Sequence, residues 1–364
     1  MANSFFPSRT ITIYMARMFL VRSLSVMGAL VLILQTLDLL GESGNIMAHT
    51  GNGGGQLWTY ISLRAPQIVA FVLPFSVLLG TLITLATMNQ NSEIVSMKGA
   101  GLSAHQILAP LFAASMLVAA VSFVFNDRIV SRATATLTRW QKADYGPLPS
   151  DRKGQTNIWV RDGDDLIHAE TVTGRGASTT LNDVTVYDRE GGSLMRIIHG
   201  ARAAQSGAEW QLEAASTFDV ARGTRETSDR LAIGKGVRPD QFTLANVNAD
   251  DLSLHGLYTA IQDLKAAGRP TSELEAGWWH KIAKPLSSML MPLLGAVAGF
   301  GIARSGRLFV RAAVGMGLGF AYFVADNFGL AMGSLGAYPP LLAAWGPFFL
   351  FLLIGESVLI QTEE

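Results

Sequence analysis

The sequence predicts an α-helical membrane protein with six transmembrane helices and an all-β domain of jelly-roll or sandwich type inserted between the third and the fourth. Three observations predict it. Of 364 residues, 49% are hydrophobic and 15% are charged, too apolar for an ordinary soluble domain and too polar for a chain that is membrane throughout. Six apolar runs have the length of roughly 20 residues that a helix needs to cross a hydrocarbon core, and they cluster at the two ends of the chain. Between them lies a long polar segment of short β-like runs broken by Gly and Asp turns.

The first three spans are expected at about Ser23 to Leu40, Ile68 to Thr87 and Ile107 to Phe125. The last three are expected at about Ile282 to Ala303, Leu308 to Leu330 and Leu341 to Ile360. Arg9, Arg17 and Arg22 are spread along an amphipathic start with no small-residue cleavage site, so the N-terminus reads as an interfacial helix feeding the first span and not as a cleaved signal. Lys and Arg of short loops collect on the cytoplasmic side. Arg9, Arg17 and Arg22, then Lys98, then Arg304, Arg307 and Arg311 all fall on one side, whereas 41–56 and 333–340 carry no basic residue. Both termini are therefore expected in the cytoplasm and the polar segment in the periplasm. The expected division is 1–125 for the first membrane half, 126–279 for the periplasmic β-domain with a connecting helix, and 280–364 for the second membrane half.

Within the polar segment, Ile158-Trp159-Val160, Asp165 to His168, Val184 to Tyr187, Leu194 to Ile198 and Trp210 to Leu212 read as strands. Their regular short spacing favours a sandwich or jelly roll. Leu254, Leu257, Tyr258, Ile261 and Leu264 then recur at helical spacing, with Asp251 or Ser253 as cap and Gly268 as stop. Trp278 and Trp279 sit where span four should meet the headgroups. The spans contain Gly295-x-x-x-Gly299 and Gly315-x-x-x-Gly319, which permit close helix approach, inside the subunit or at a seam with a second one.

Composition also excludes functions. Lys and Arg number 28, as do Asp and Glu, and the basic residues form no blocks, so nucleic acid is not an expected partner. Without cysteine there is no disulfide or thiolate site. The chain has no G-x-x-x-x-G-K-[ST] phosphate loop, no H-E-x-x-H and no G-x-S-x-G elbow, and its six histidines are scattered. It is expected to be no enzyme, to bind no cofactor itself, and to depend on a partner for any ATP hydrolysis.

Two groups of residues stand out. The loop Asn91-Ser92-Glu93-Ile94-Val95-Ser96-Met97-Lys98-Gly99-Ala100-Gly101-Leu102-Ser103 predicts a short helix over about 91–103 that presents Ile94, Val95, Met97 and Leu102 as apolar knobs for a groove in another protein. The alternative is a helix lying on headgroups. Polar residues also occur at membrane depth. Gln35, Asp38 and Glu42 share one face of the first span, and Asp326 with Asn327 lies near the end of the fifth. Either they serve a lipid cavity or gate, or they are simply solvated at the interface. Arg64, at the start of the second span, is a candidate source of positive charge for an anionic ligand, as is a partner subunit.

Leu73-Pro74-Phe75 through Leu78-Leu79-Gly80, on to Asn89 and the loop just quoted, resembles the Pro-x-x-x-Leu-Leu-Gly and Ser-Glu-Leu-Val-x-Met-x-x-x-Gly signature of the LptF/LptG permease family of lipopolysaccharide-export ABC transporters. Trp159-Val160-Arg161-Asp162-Gly163, Leu252-Ser253, Trp279-x-Lys281 and Lys284-Pro285-Leu286 are similar to its LptG branch. The resemblance implies three spans, a periplasmic jelly roll and three spans, in the inner membrane of a Gram-negative bacterium. It further implies that Ser92, Glu93, Ile94, Val95, Met97, Lys98 and Gly101 form a coupling helix docking into an LptB-like ATPase dimer, which uses ATP and Mg²⁺, with Glu93 meeting a basic group. Other implied partners are an LptF-like paralogous permease, LptC-like and LptA-like jelly-roll proteins, lipopolysaccharide and membrane lipid.

On that resemblance, spans one and five face the lipid cavity, with Gln35, Asp38, Glu42, Arg64 and Asp326 as cavity or gate candidates. Trp159, Ile167, Val186 and Ile197 are candidates for an apolar path along the jelly roll, although Trp159 also reads as core. Two other readings stay open: an ion-driven lipid flippase, which needs paired acids in mid-membrane, and a mechanotransmission protein.

Overall fold

The computed structural model describes residues 6–147, 155–174, 176–207, 209–243, 248–266, 268–299 and 308–363. In chain order the helices are α1 (Arg9–Ala48), α2 (Gly54–Gln90), α3 (Glu93–Gly99), α4 (Ala104–Phe125) and, after a π-helical turn over Asn126–Val130, α5 (Ser131–Lys142). Six strands follow: β1 (Gln155–Asp162), β2 (Asp165–Thr173), β3 (Thr180–Glu190), β4 (Ser193–Ser206), β5 (Glu209–Asp219) and β6 (Thr224–Ile233). The chain closes with α6 (Pro239–Thr243), α7 (Leu254–Ala266), α8 (Ser272–Gly299), α9 (Leu308–Ser334) and α10 (Pro340–Glu363). Two compact units result. One holds Met1–Leu148, Ala249–Tyr258 and Thr271–Glu364; the other holds Pro149–Asn248 and Thr259–Pro270.

Five helices among the described residues are long and apolar enough to cross a membrane: Arg9–Ala48, Gly54–Gln90, Ala104–Lys142, Ala312–Ser334 and Pro340–Gln361. The expected fourth span falls on α8, whose Leu290, Met291, Leu293 and Leu294 lie in the core of the helical unit. Its last expected residues, 300–303, lie outside the described residues, as do Arg304 and Arg307.

The helices outrun the apolar windows. No proline interrupts α1, so the interfacial start and the first span form one rod of 40 residues, about 60 Å at 1.5 Å per residue. Nor does a breaker stand after Phe125. The chain instead passes through the π turn, where Asn126 donates to the Ser122 carbonyl at 2.8 Å, and remains helical to Lys142. Residues 126–142, expected within the β-domain, thus belong to the helical unit.

Glycines set the closest helix contacts. Gly295 of α8 abuts Thr81, and Gly319 of α9 abuts Leu78, both on α2. These two motif glycines therefore serve packing inside the subunit. Gly80 of α2 lies against α1, where an added Cβ would stand 2.8 Å from the Ser23 backbone.

In the other unit all six strands form one antiparallel sheet in sequential order. Side chains alternate between its faces. Ile158, Val160, Ile167, Val186, Ile198 and Leu212 point to one buried core. The sheet is rolled. Gly234, just after β6, lies so near β2 that an added Cβ would be 3.3 Å from the Ile167 side chain, whereas four strand spacings in a flat sheet measure roughly 19 Å. α6 closes the roll by packing on β1 and β2, and its Phe242 ring meets Trp210 edge-on at 5.2 Å. Of the two expected caps for α7, Ser253 serves, its Oγ accepting from Gly256 N at 3.2 Å, and Gly268 terminates the segment at φ +67°.

Crowding at Gly80 leaves no room for a methyl group without moving α1, and overpacking costs about 1–3 kcal/mol. Gly80→Ala is expected to lower the thermal midpoint of the detergent-solubilised protein by several degrees. Gly28→Ala, in open space on α1, is expected to leave the midpoint unchanged.

Candidate functional site

α1 and α2 form an antiparallel hairpin, so residues near the end of one meet residues near the start of the other. Asp38 is the centre of that meeting. Its carboxylate accepts from Tyr60 OH at 2.6 Å, from Arg64 Nε at 3.1 Å and from Arg64 Nη2 at 2.8 Å. Arg64 Nη1 donates onward to Gln67 Oε1 at 2.7 Å. A planar guanidinium holding both carboxylate oxygens is the stronger form of an ion pair, and pairing is what allows either charge to sit at this depth.

Glu42, one turn along α1, accepts from Tyr145 OH at 2.9 Å and from Asn45 at 3.0 Å. The Tyr145 ring packs on Tyr60 and Trp140, which brings the end of α5 into the same network. Burial and the neighbouring Glu42 push the Tyr145 phenol above its ordinary value, keeping it a hydrogen-bond donor. The acidic face expected on the first span is therefore internally paired. Gln35, one turn deeper, has both amide atoms buried with no hydrogen-bond partner among the described residues.

Beside this network lies a cavity of about 570 Å³. Leu34, Leu37, Ile68, Ala70, Phe71 and Val130 supply an apolar wall, and Arg64, His280, Lys281 and Lys284 line it with nitrogen, against Asp38 and Asp250. The π turn contributes Asn126 and Val130 directly, and π turns inside α-helices are frequent at functional sites. His280, Lys281, Lys284 and Pro285 share one face of α8. His280 is fixed by Asp326 of α9 at 3.0 Å, with side chains only 13% and 10% exposed. A hydrophobic chamber with cations along one wall suits an amphiphile with an anionic head.

The structure thus gathers Asp38 and Arg64 into the cavity wall and ties Asp326 to it through His280. It places Glu42 outside, in a shallower groove with Asn45, His49, Gln141 and Tyr145. His280, Lys281 and Lys284 were missed as site residues. Ionisable groups spaced on one helical face, just where an apolar span begins, were the signal that could have found them.

At the far ends of the spans, α3 is shorter than the expected helix. Ser92 precedes it with φ +61° and Gly101 follows at φ +87°. Ile94 is buried at 3% exposure, and Met97 and Leu102 pack against the helical core. Of the four expected knobs only Val95, 59% exposed, projects. The physical reason is that the turn after α2 folds α3 back onto α2 and α4, so its apolar face finds a core in its own chain. Glu93 is held by Tyr14 OH of α1, at 3.2 and 3.3 Å to its two oxygens, and by Asn91 at 3.3 Å. Lys98 is half-buried on the same helix.

The four jelly-roll candidates do not share a face. Ile167 and Val186 are cross-strand partners in the core, 1% and 4% exposed. Trp159 and Ile197 alternate to the outer face, where Trp159 is 48% exposed. In this conformation the inner face is filled by the protein's own side chains.

Breaking the Asp38–Arg64 pair from one side strands a charge in the cavity wall, whereas removing both removes the problem. A double-mutant cycle of Asp38→Asn and Arg64→Gln, read by unfolding in detergent, is expected to give a coupling of about 1–3 kcal/mol. Additive losses would mean the pair is solvated.

Comparison with known proteins gives the family. The chain is 25% identical over 337 residues to the lipopolysaccharide export system permease protein LptG of Escherichia coli K12, covering 90% of this chain and 91% of that protein. It is 25% identical over 346 residues to LptG of Haemophilus influenzae, covering 91% and 94%. Residues 13–361 match the model of the lipopolysaccharide export system permease family LptF/LptG. The chain, with its membrane-spanning helices and rolled sheet, belongs to that family and resembles its LptG members.

Proposed function

We propose that this chain is the LptG-like permease subunit of an ABC transporter that takes lipopolysaccharide from the outer leaflet of the inner membrane and passes it to a periplasmic bridge. The observation that carries the reading is the cavity, lined both by apolar side chains of α1 and α2 and by the cationic side chains of Arg64, Lys281 and Lys284. Lipid acyl chains gain by leaving water for Leu34, Leu37 and Phe71, while phosphate groups gain from the lysines in a site where salt and water screen little.

An LptF-like subunit completes the chamber, and an LptB-like ATPase dimer drives it. In this account α3 is the coupling helix. Because Ile94, Met97 and Leu102 anchor it to the spans, a push on Val95, Glu93 and Lys98 moves α2 and α4 as a unit instead of bending a loop. The Glu93–Tyr14 contact carries the same displacement to α1. Both termini are cytoplasmic and the sheet is periplasmic, where LptC-like and LptA-like proteins receive the lipid. An ion-driven flippase gains nothing from the acids found here, since Asp38 and Asp326 are already engaged by Arg64 and His280.

Two variants test the reading in one preparation of complex purified from membranes. Lys281→Gln combined with Lys284→Gln is expected to reduce co-purified lipopolysaccharide several-fold while the ATPase stays bound. Glu93→Lys is expected to lose the ATPase while the subunit stays in the membrane. Undiminished lipid in the first and normal export in the second would overturn the cavity and the coupling assignments respectively.

A further inference from the structure

The outward face of the sheet carries two rows of side chains that transport through the spans does not use. The register makes Trp159, His168, Thr185, His199, Ser216 and Thr227 successive cross-strand neighbours in one row. The adjacent row runs Arg161, Leu166, Tyr187, Ile197, Phe218 and Arg225. The first is aromatic at the edge and then imidazole and hydroxyl; the second is apolar with an arginine at either end.

The aromatic end is preformed. Trp159 stacks on Tyr187 at 5.7 Å and 17° between planes, and its ring centre lies 4.5 Å from that of His168. Three rings held together lose little freedom when a flat ligand arrives. Yet Trp159 remains 48% exposed and Phe218 39%. The polar row is also arranged: Thr185 Oγ1 lies 3.2 Å from His199 Nδ1, and Arg225 Nε donates to Ser216 Oγ at 2.6 Å.

We propose that this face binds an oligosaccharide, namely the sugar portion of the glycolipid cargo, which deepens the transport reading and rests on it for the identity of the cargo. A pyranose ring has an apolar C–H face and a rim of hydroxyls. Aromatic and aliphatic side chains take the first, and a neighbouring row of imidazoles and hydroxyls takes the second. Five strand spacings of about 4.8 Å, followed along the curved outside of the rolled sheet, give a path of roughly 24 Å, suited to a short chain of sugars and not to one ring. Arg161, held by the Gly163 carbonyl and Asp164, and Arg225, held by Ser216, stand at its ends, while Glu170 and Asp183 beside His168 and His199 add acceptors for sugar hydroxyls.

The experiment is calorimetric titration of the full-length protein in detergent with fully deacylated lipopolysaccharide oligosaccharide. Trp159→Ala is expected to weaken binding about three- to tenfold, the range of an aromatic stacking contact, and Trp159→Phe to stay near wild type. Thr185→Val, which keeps the side chain's shape, is expected to weaken binding even if Trp159→Ala fails to fold. No binding by the wild type, or equal binding by Trp159→Ala and Thr185→Val, overturns the proposal. Loss of a bound protein from Trp159→Ala with saccharide affinity unchanged overturns it as well. Saccharide binding in a protein that loads no lipopolysaccharide would instead sink the transport reading and leave this one standing.

Discussion

The charge of Asp38 is answered by an arginine and a tyrosine of the neighbouring helix, and much of the helical unit follows from how it is answered. Arg64 and Tyr60 reach it from α2, which ties α1 and α2 together at this point. Tyr60 in turn seats Tyr145, and Tyr145 engages Glu42, so the end of α5 is bound to the same point. The cost of burying ions enforces geometry here, since any slip of one helix along another would strand a charge in an apolar medium.

That constraint also leaves room for function. With Asp38 and Arg64 satisfied by each other and His280 by Asp326, the charges that line the cavity beyond these pairs are Lys281, Lys284 and Asp250. The pairs hold the walls, and the lysines are the cationic side chains that remain to line the cavity. The π turn at Asn126–Val130 lends Asn126 and Val130 to the chamber lining, and Asp127 within it accepts from Leu254 N at 2.6 Å. The segment re-entering from the sheet is thereby tied to the chamber wall.

The helices, the strand-rich insertion and the capping of α7 were legible in the sequence because periodicity and turn residues are local signals. Family membership was legible in the Leu78-Leu79-Gly80 and Ser92-Glu93 stretches. Other features were not legible, for identifiable reasons. Hydropathy marks where a helix is apolar but not where it ends, so the continuation to Lys142 escaped it. Helical spacing showed that Ile94, Met97 and Leu102 share a face, but not that the face turns back to α2. Strand alternation, applied through the turns at Asp162-Gly163 and Glu190 to Gly192, separates Trp159 and Ile197 from Ile167 and Val186, so the four do not share the inward face expected of them. The pairing of Asp38 with Arg64, 26 positions apart, needed the hairpin register.

The claim on which the rest hangs is that lipid cargo occupies the chamber beside Arg64, Lys281 and Lys284. A photoreactive phenylalanine analogue at Phe71, in the apolar wall, reads this directly in living cells. The account predicts a crosslink to lipopolysaccharide that declines when the partner ATPase is active and accumulates when hydrolysis is blocked. A crosslink to phospholipid alone, or one indifferent to ATP, would contradict it.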